Sequence, residues 1–257
     1  MKKTLHILWT DMKQSLFSLR FLCSVLAVPF LMFTAIWGMT DGSFVSAWYL
    51  ARLALGGSGL ECMILCTLPV FAFGLSYARE WEEKAVLCQV IRTGTGRYAL
   101  SKTLNCALSG FLTVFLGIGL FVLILLPVCP PHLPDPGDAP PYEALMGTHL
   151  IPGWLLYMAH HGLSGSIVSV CALWFSTLLP NRFAAAAAPF ILYFSILRLN
   201  FLTRLPAWTS PIYWISGVWS GESCLETIGY KLITALALCA LFGIAARYHM
   251  ERRLLHK

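Results

Sequence analysis

Charge is what this sequence lacks most. Only 12% of its 257 residues are Asp, Glu, Lys or Arg, about half of the ~25% usual in soluble domains, so an ordinary solvated surface is excluded. No Gly-Lys dipeptide occurs anywhere. That removes the phosphate-cradling G-x-x-x-x-G-K-[ST] loop, and with it an ATPase site of the chain's own. The nine cysteines form no C-x-x-C pair, so the common zinc and dithiol spacings are missing. Most lie in apolar runs and read as free, buried thiols. Cys129 and Cys224 fall in loops placed outside, where either thiols or a disulfide would be stable. There is no heptad, no residue-level repeat and no low-complexity segment beyond Ala184 to Ala188. The first twenty residues lack a compact apolar core followed by a small-residue cleavage site, so they are not read as a signal peptide.

What the sequence has is grease. The hydrophobic fraction is 58% and the mean hydropathy +0.71. The ruler for such a chain is the bilayer, which asks for about 20 apolar residues per spanning helix. Apolar runs of that order lie at about 21–40, 60–78, 103–128, 154–178, 183–201 and 228–247. The fold class expected is an all-α polytopic membrane protein of six transmembrane helices, which puts both termini on one side. The net charge of +6 would suit nucleic acid, but its placement argues for topology instead. Basic residues crowd the N-terminal arm (Lys2, Lys3, Lys13, Arg20), the 79–102 segment, Arg182 and the tail (Arg247, Arg252, Arg253, Lys257); only Arg52, Arg198, Arg204 and Lys231 fall opposite. The positive-inside rule then gives an N-in, C-in orientation. No nucleic-acid partner is expected.

Three segments fall outside the spans. In residues 1–20, Leu5, Leu8, Trp9, Met12, Leu16 and Leu19 recur at helical spacing opposite Lys2, Lys3, Thr10, Lys13 and Gln14, which predicts an amphipathic helix lying on the inner leaflet. The loop CPPHLPDPGDAPPYEALMGTH carries Asp135, Asp138 and Glu143 with no Lys or Arg. It reads as an outside loop whose prolines forbid regular structure over much of its length. Residues 204–227 mix three tryptophans with prolines and glycines, which suits either broken, partly inserted structure or a plain aromatic belt loop at the outer interface.

Enzyme chemistry finds little support. Glu82-Glu83 with His160-His161 invites comparison with glutamate–histidine intramembrane peptidases, but Leu87 stands where E-E-x-x-x-R would need Arg. Adjacent histidines on a helix point about 100° apart and do not readily share a metal; they read as interfacial residues at the outer end of the fourth span. Apart from Glu61, Arg198 and Lys231 near span ends, the spans hold almost no ionisable residue, so the relay of a proton-coupled carrier is weakly represented. Asn105, Ser109, Thr113, Ser166, Ser169 and Thr177 could line a path or satisfy neighbouring backbone.

The remaining feature is REWEEKAVLCQVIRTGTGRYALSK, Arg79 to Lys102, which holds eight of the chain's 18 basic and 12 acidic residues. Read as a helix, it starts with Glu80, Glu82 and Glu83 in the first turn, where carboxylates suit the helix dipole. Arg79–Glu83 and Glu80–Lys84 form i,i+4 pairs. An apolar body from Ala85 to Ile91 follows, and Thr93-Gly94-Thr95-Gly96 breaks the helix before Arg97 and Lys102 meet the inner leaflet. Topology needs only the basic residues, so the acids ask for another explanation. Trp81, set among them on an exposed turn, is the natural anchor for a partner. A solvated loop held inside by its charges is the plain alternative.

The junction FGLSYAREWEEKAVLCQVIRTGTGRYALSK, with its R-Y-x-x-S-K ending, resembles the permease subunits of ABC-2 type exporters. It departs from them at Lys84-Ala85, where Gly-Thr is common. The amphipathic arm is similar to their connecting helix, and the Ser-Pro of WTSPIYWI before the last span is similar to theirs. The resemblance implies half of an ATP-driven exporter in the bacterial cytoplasmic membrane, with no catalytic residue and no cofactor of its own. ATP and Mg would sit in separate cytoplasmic ABC ATPase subunits. It implies that Arg79, Glu80, Trp81, Glu82, Glu83, Lys84 and Arg92 form a coupling helix docking that ATPase. A second permease copy, or a homologous permease, would complete the path. Small residues let helices approach closely in lipid, so Ala184, Ala185, Ala186, Ala187 and Ala188 are the expected dimer interface; packing within one subunit is the competing reading. A non-transporting assembly or immunity factor on the same bundle is the rival function, and a membrane enzyme a third.

Overall fold

The computed structural model describes residues 2–38, 45–56, 60–133, 141–203, 206, 210–216 and 223–255. Every assigned element among them is helical. Four helices are long and apolar enough to cross a membrane by themselves: α7 (Thr95–Leu125), α9 (Leu150–Leu178), α10 (Arg182–Thr203) and α11 (Cys224–Leu255). Up to two further crossings come from bent pairs. The chain is thus a helical membrane protein with four to six candidate spans.

The first bent pair joins α1 (Lys2–Leu16) to α2 (Leu19–Ala35) at 50°. Ser18 makes the corner. Its hydroxyl donates to the Ser15 carbonyl at 2.9 Å and accepts from the Phe21 amide at 3.1 Å, so one side chain closes α1 and caps α2. The second pair is α3 (Ala47–Gly56) with the segment from Glu61 to Gly74, bent by 76°. The sequence reading gave no helix to 47–56. Its short apolar run is below spanning length, and only the turn-back against α2 and α7 makes it a helix of the bundle. Within the expected 60–78 span, α4 (Glu61–Cys66) stops before Pro69, and Val70–Gly74 form a π-helical turn. Pro69 has no amide to give the preceding turn, so the ladder slips there. Helix α5 (Ser76–Glu82) follows, with Tyr77 and Ala78 buried.

α9 lies at the centre, packed against α7, α11, α10, α5 and α8 (Pro141–Thr148). Of its most apolar stretch 78% is enclosed, against 11% for α11; α9 is apolar all round, as a central helix must be. It meets α7 at Gly110 and Gly165, where a Cβ on either would overlap the other's carbonyl oxygen. Lipid supplies no hydrophobic force between helices, so close backbone approach at small residues supplies the packing. The hydroxyl of Ser166 adds a bond to the Ala107 carbonyl across this seam at 2.8 Å.

Two expectations for the outside loops change. Helix α8 forms inside the segment expected to be irregular, because Pro141 occupies the first turn, the one place in a helix where proline fits. Its Glu143 is no surface acid. It is 3% exposed and accepts from Trp48 Nε1 at 2.9 Å and Arg52 Nη1 at 3.3 Å, with His132 Nε2 at 3.8 Å. Asp135, Asp138 and Arg204 lie outside the described residues, as do 205, 207–209 and 217–222 of the 204–227 connector. Of that connector, Ile212–Ser216 form a π-helical turn against α4 and α9, and Lys231 donates to the Trp214 carbonyl at 2.6 Å.

Candidate functional site: the charged end of the bundle

The 79–102 segment is two helix ends and a short helix between them. Arg79, Glu80 and Glu82 close α5 rather than opening a helix, so the acids sit at the C-terminal end of the dipole, the reverse of the first-turn placement. The break comes at Lys84, whose φ of +58° is left-handed, a conformation that costs a side chain about 1 kcal/mol. Helix α6 (Val86–Thr93) follows. Gly94, with φ +82°, is the second break, and Thr95 and Gly96 already belong to α7. Positive φ at Gly94 is the conformation glycine tolerates best.

Of the two predicted i,i+4 pairs, Arg79–Glu83 is present at 2.8 Å. The Arg79 hydrogen bond holds the Glu83 carboxyl below the usual carboxylate range. Glu80–Lys84 is replaced. Glu80 turns inward, taking Lys102 Nζ at 2.5 Å and the Tyr98 hydroxyl at 2.6 Å, while Lys84 stays exposed at the break. Lys102 does not meet the leaflet either: it is 1% exposed, with Asp11 of α1 at 3.8 Å and the Phe73 ring centroid at 5.1 Å. Ser101 donates to the second Asp11 oxygen at 2.8 Å. A buried cation therefore ties α1, α5 and α7 together, and a buried charge is tolerable only when paired in this way.

Other charges knit the same end. Glu82 pairs with Arg182 at the start of α10 at 2.6 Å. Trp81 is half-buried rather than exposed. It lies against Tyr77, with ring centroids 6.0 Å apart, and under the Arg253 guanidinium of α11 at 5.0 Å. Arg253 also donates to the Leu178 carbonyl at the end of α9 at 2.8 Å. The N-terminal helix, the 79–102 segment, the α9–α10 turn and the end of α11 thus meet at one end of the bundle. Glu83, Lys84, Leu87, Cys88, Ile91, Arg92 and Arg97 are among the residues of the segment that remain outward. Leu87 is 47% and Ile91 83% exposed, so α6 presents an unpartnered face of two aliphatics flanked by charge.

The sequence pointed to this segment but missed Asp11, Tyr98, Ser101 and Lys102 as its inner partners. Their signal was the spacing of Arg-Tyr-x-x-Ser-Lys, which puts Tyr98, Ser101 and Lys102 on one helix face.

Elsewhere the candidates separate. In the alanine run, Ala185 and Ala188 are buried and Ala186 packs on the core around Cys66, Val70 and Tyr193. Only Ala187 of the five is exposed, with Ala184 half-exposed. His160 and His161 are enclosed by protein rather than exposed. They are 1% and 2% exposed within a cage of Tyr142 and Tyr157, with the Tyr142 hydroxyl 2.9 Å from His160 Nδ1. The polar span residues mostly satisfy backbone: Asn105 bonds to Ser101, Ser109 to Cys106, Thr113 to Ser109 and Thr177 to Trp174 carbonyls. Ser169 Oγ is buried without a partner. All nine cysteines are free thiols; Cys129 and Cys224 pack on the same core cluster. No family model, curated protein or solved structure matches this chain.

Proposed function

We propose that the chain is the membrane permease subunit of an ATP-driven ABC exporter, with six spans, both termini in the cytoplasm and α6 as the element that docks a separate ATPase. The observation that carries the reading is α6 itself: a two-turn helix set between two positive-φ residues, packed on the bundle through Val86 and Val90 and leaving Leu87 and Ile91 exposed beside Glu83, Lys84 and Arg92. Docking surfaces take their affinity from such apolar anchors, while rim charges set on-rate and register. The internal ion pairs support the same reading. A push on α6 would reach α5, whose Glu80 pairs through Lys102 with Asp11 of α1 and whose Glu82 pairs with Arg182 of α10.

The second permease would pack on the outer face of α10, where Phe183, Ala187, Ile191 and Phe194 are exposed. Ala187 replaces Ala186 as the close-approach residue, since Ala186 faces its own core. Affinity purification from native membranes tests the reading. A P-loop ATPase should co-purify, with hydrolysis that depends on the permease. A partner set without any ATP-binding subunit favours the assembly or immunity factor and rejects the exporter.

A further inference from the structure

The ends of α9 and α11 frame a shallow, open notch lined by Thr177, Leu178, His249, Arg252 and Arg253. Among the described residues no carboxylate lines it. The nearest acid along α11, Glu251, is taken by Arg247 at 2.9 Å. Arg253 is held from behind by Trp81 and the Leu178 carbonyl, yet its Nη1 is buried with no acceptor. Thr177 has already given its proton to the Trp174 carbonyl at 2.6 Å, so the donors left for a ligand are the two guanidinium groups and the imidazole. Such a set recognises a phosphate.

Which phosphate is decided by the rest of α11. Leu241, Ile244 and Tyr248 are 61%, 69% and 59% exposed, and with Arg252 they fall on one face at 3.6-residue spacing. An apolar stripe running into an interfacial tyrosine and then arginine is a track for acyl chains ending at a headgroup. We infer that this notch binds the phosphate of an anionic phospholipid, with the acyl chains lying along Leu241 and Ile244. This inference rests on the membrane character of the chain and is independent of the exporter reading.

The test is native mass spectrometry of the full chain, delipidated and then exposed to phosphatidylglycerol or phosphatidylcholine of identical acyl chains. The wild type should retain phosphatidylglycerol about ten-fold more strongly than phosphatidylcholine. Arg252→Gln with His249→Gln should lose that preference while keeping its unfolding temperature, because neither side chain supports the fold as Arg253 does. Equal retention of the two lipids by the wild type, or an unchanged preference in the double variant, overturns the assignment. Millimolar inorganic phosphate supplies the remaining arm. It should fail to displace the lipid, and displacement would assign the notch to free phosphate and overturn the lipid.

Discussion

Lys102 is the residue on which the charged end turns. A lysine 1% exposed beside Glu80 and Asp11 gains little net stability from burial as a pair. Removing one partner is a different matter, because it strands the others, at a cost of about 3–5 kcal/mol. Lys102→Met should therefore lower stability by about 3 kcal/mol in detergent unfolding, and adding Glu80→Gln should recover much of the loss. An unchanged midpoint for Lys102→Met would remove the network from the account. Gly110 gives a second test. Its missing Cβ is the space taken by the Gly165 carbonyl, so even Gly110→Ala forces α7 and α9 apart, an overpacking cost of about 1–3 kcal/mol. Thermal unfolding should show it, whereas Gly147→Ala, at a position with open space, should be neutral in the same assay.

Among the elements, the long spans were legible because apolar length is a direct reading of bilayer thickness. Expected runs 103–128, 154–178, 183–201 and 228–247 correspond to α7, α9, α10 and α11, with α7 starting earlier, at Thr95, and α11 running on to Leu255 through residues that include charged ones. What failed were positions decided by tertiary contact. Trp81 looked exposed because its neighbours Glu80, Glu82 and Glu83 are acidic, and nothing local announces Arg253 from the far end of the chain. Glu143 looked like a surface acid because its partners Trp48 and Arg52 lie more than ninety residues away. The break at Lys84 was hidden because lysine carries no turn signal, whereas Gly94 did. Trp81 is half-buried while Leu87 and Ile91 are exposed, so the proposed docking is tested at the latter two. Leu87→Glu with Ile91→Glu should leave folding within about 0.5 kcal/mol, as for exposed positions, while releasing the ATPase on affinity purification. Retained ATPase with this variant would place the docking surface elsewhere.

At the scale of the molecule, the described residues bring α1, the 79–102 segment, Arg182 and the end of α11 to one end, and α3, α8 and the start of α11 pack around the other. Arg79, Arg182 and Arg247 mark the first end, Glu143 and His132 the second, so the basic asymmetry of the sequence maps onto the two ends of the bundle. Cysteine labelling on a cysteine-free background should modify Thr148→Cys in intact cells and Gly94→Cys only after permeabilisation. Both positions are exposed, and modification of Gly94→Cys from outside would invert the topology. Ala187→Cys should form an intersubunit crosslink if α10 is the permease–permease face, and its failure would move that interface. The central claim, that α6 receives an ATPase, is tested most directly by a photo-crosslinking amino acid placed at Ile91, with Leu236 on the outer face of α11 as the control. The account predicts a covalent adduct between Ile91 and a P-loop ATPase and none from Leu236; an Ile91 probe that captures no ATP-binding protein while the chain is active in its native membrane would contradict it.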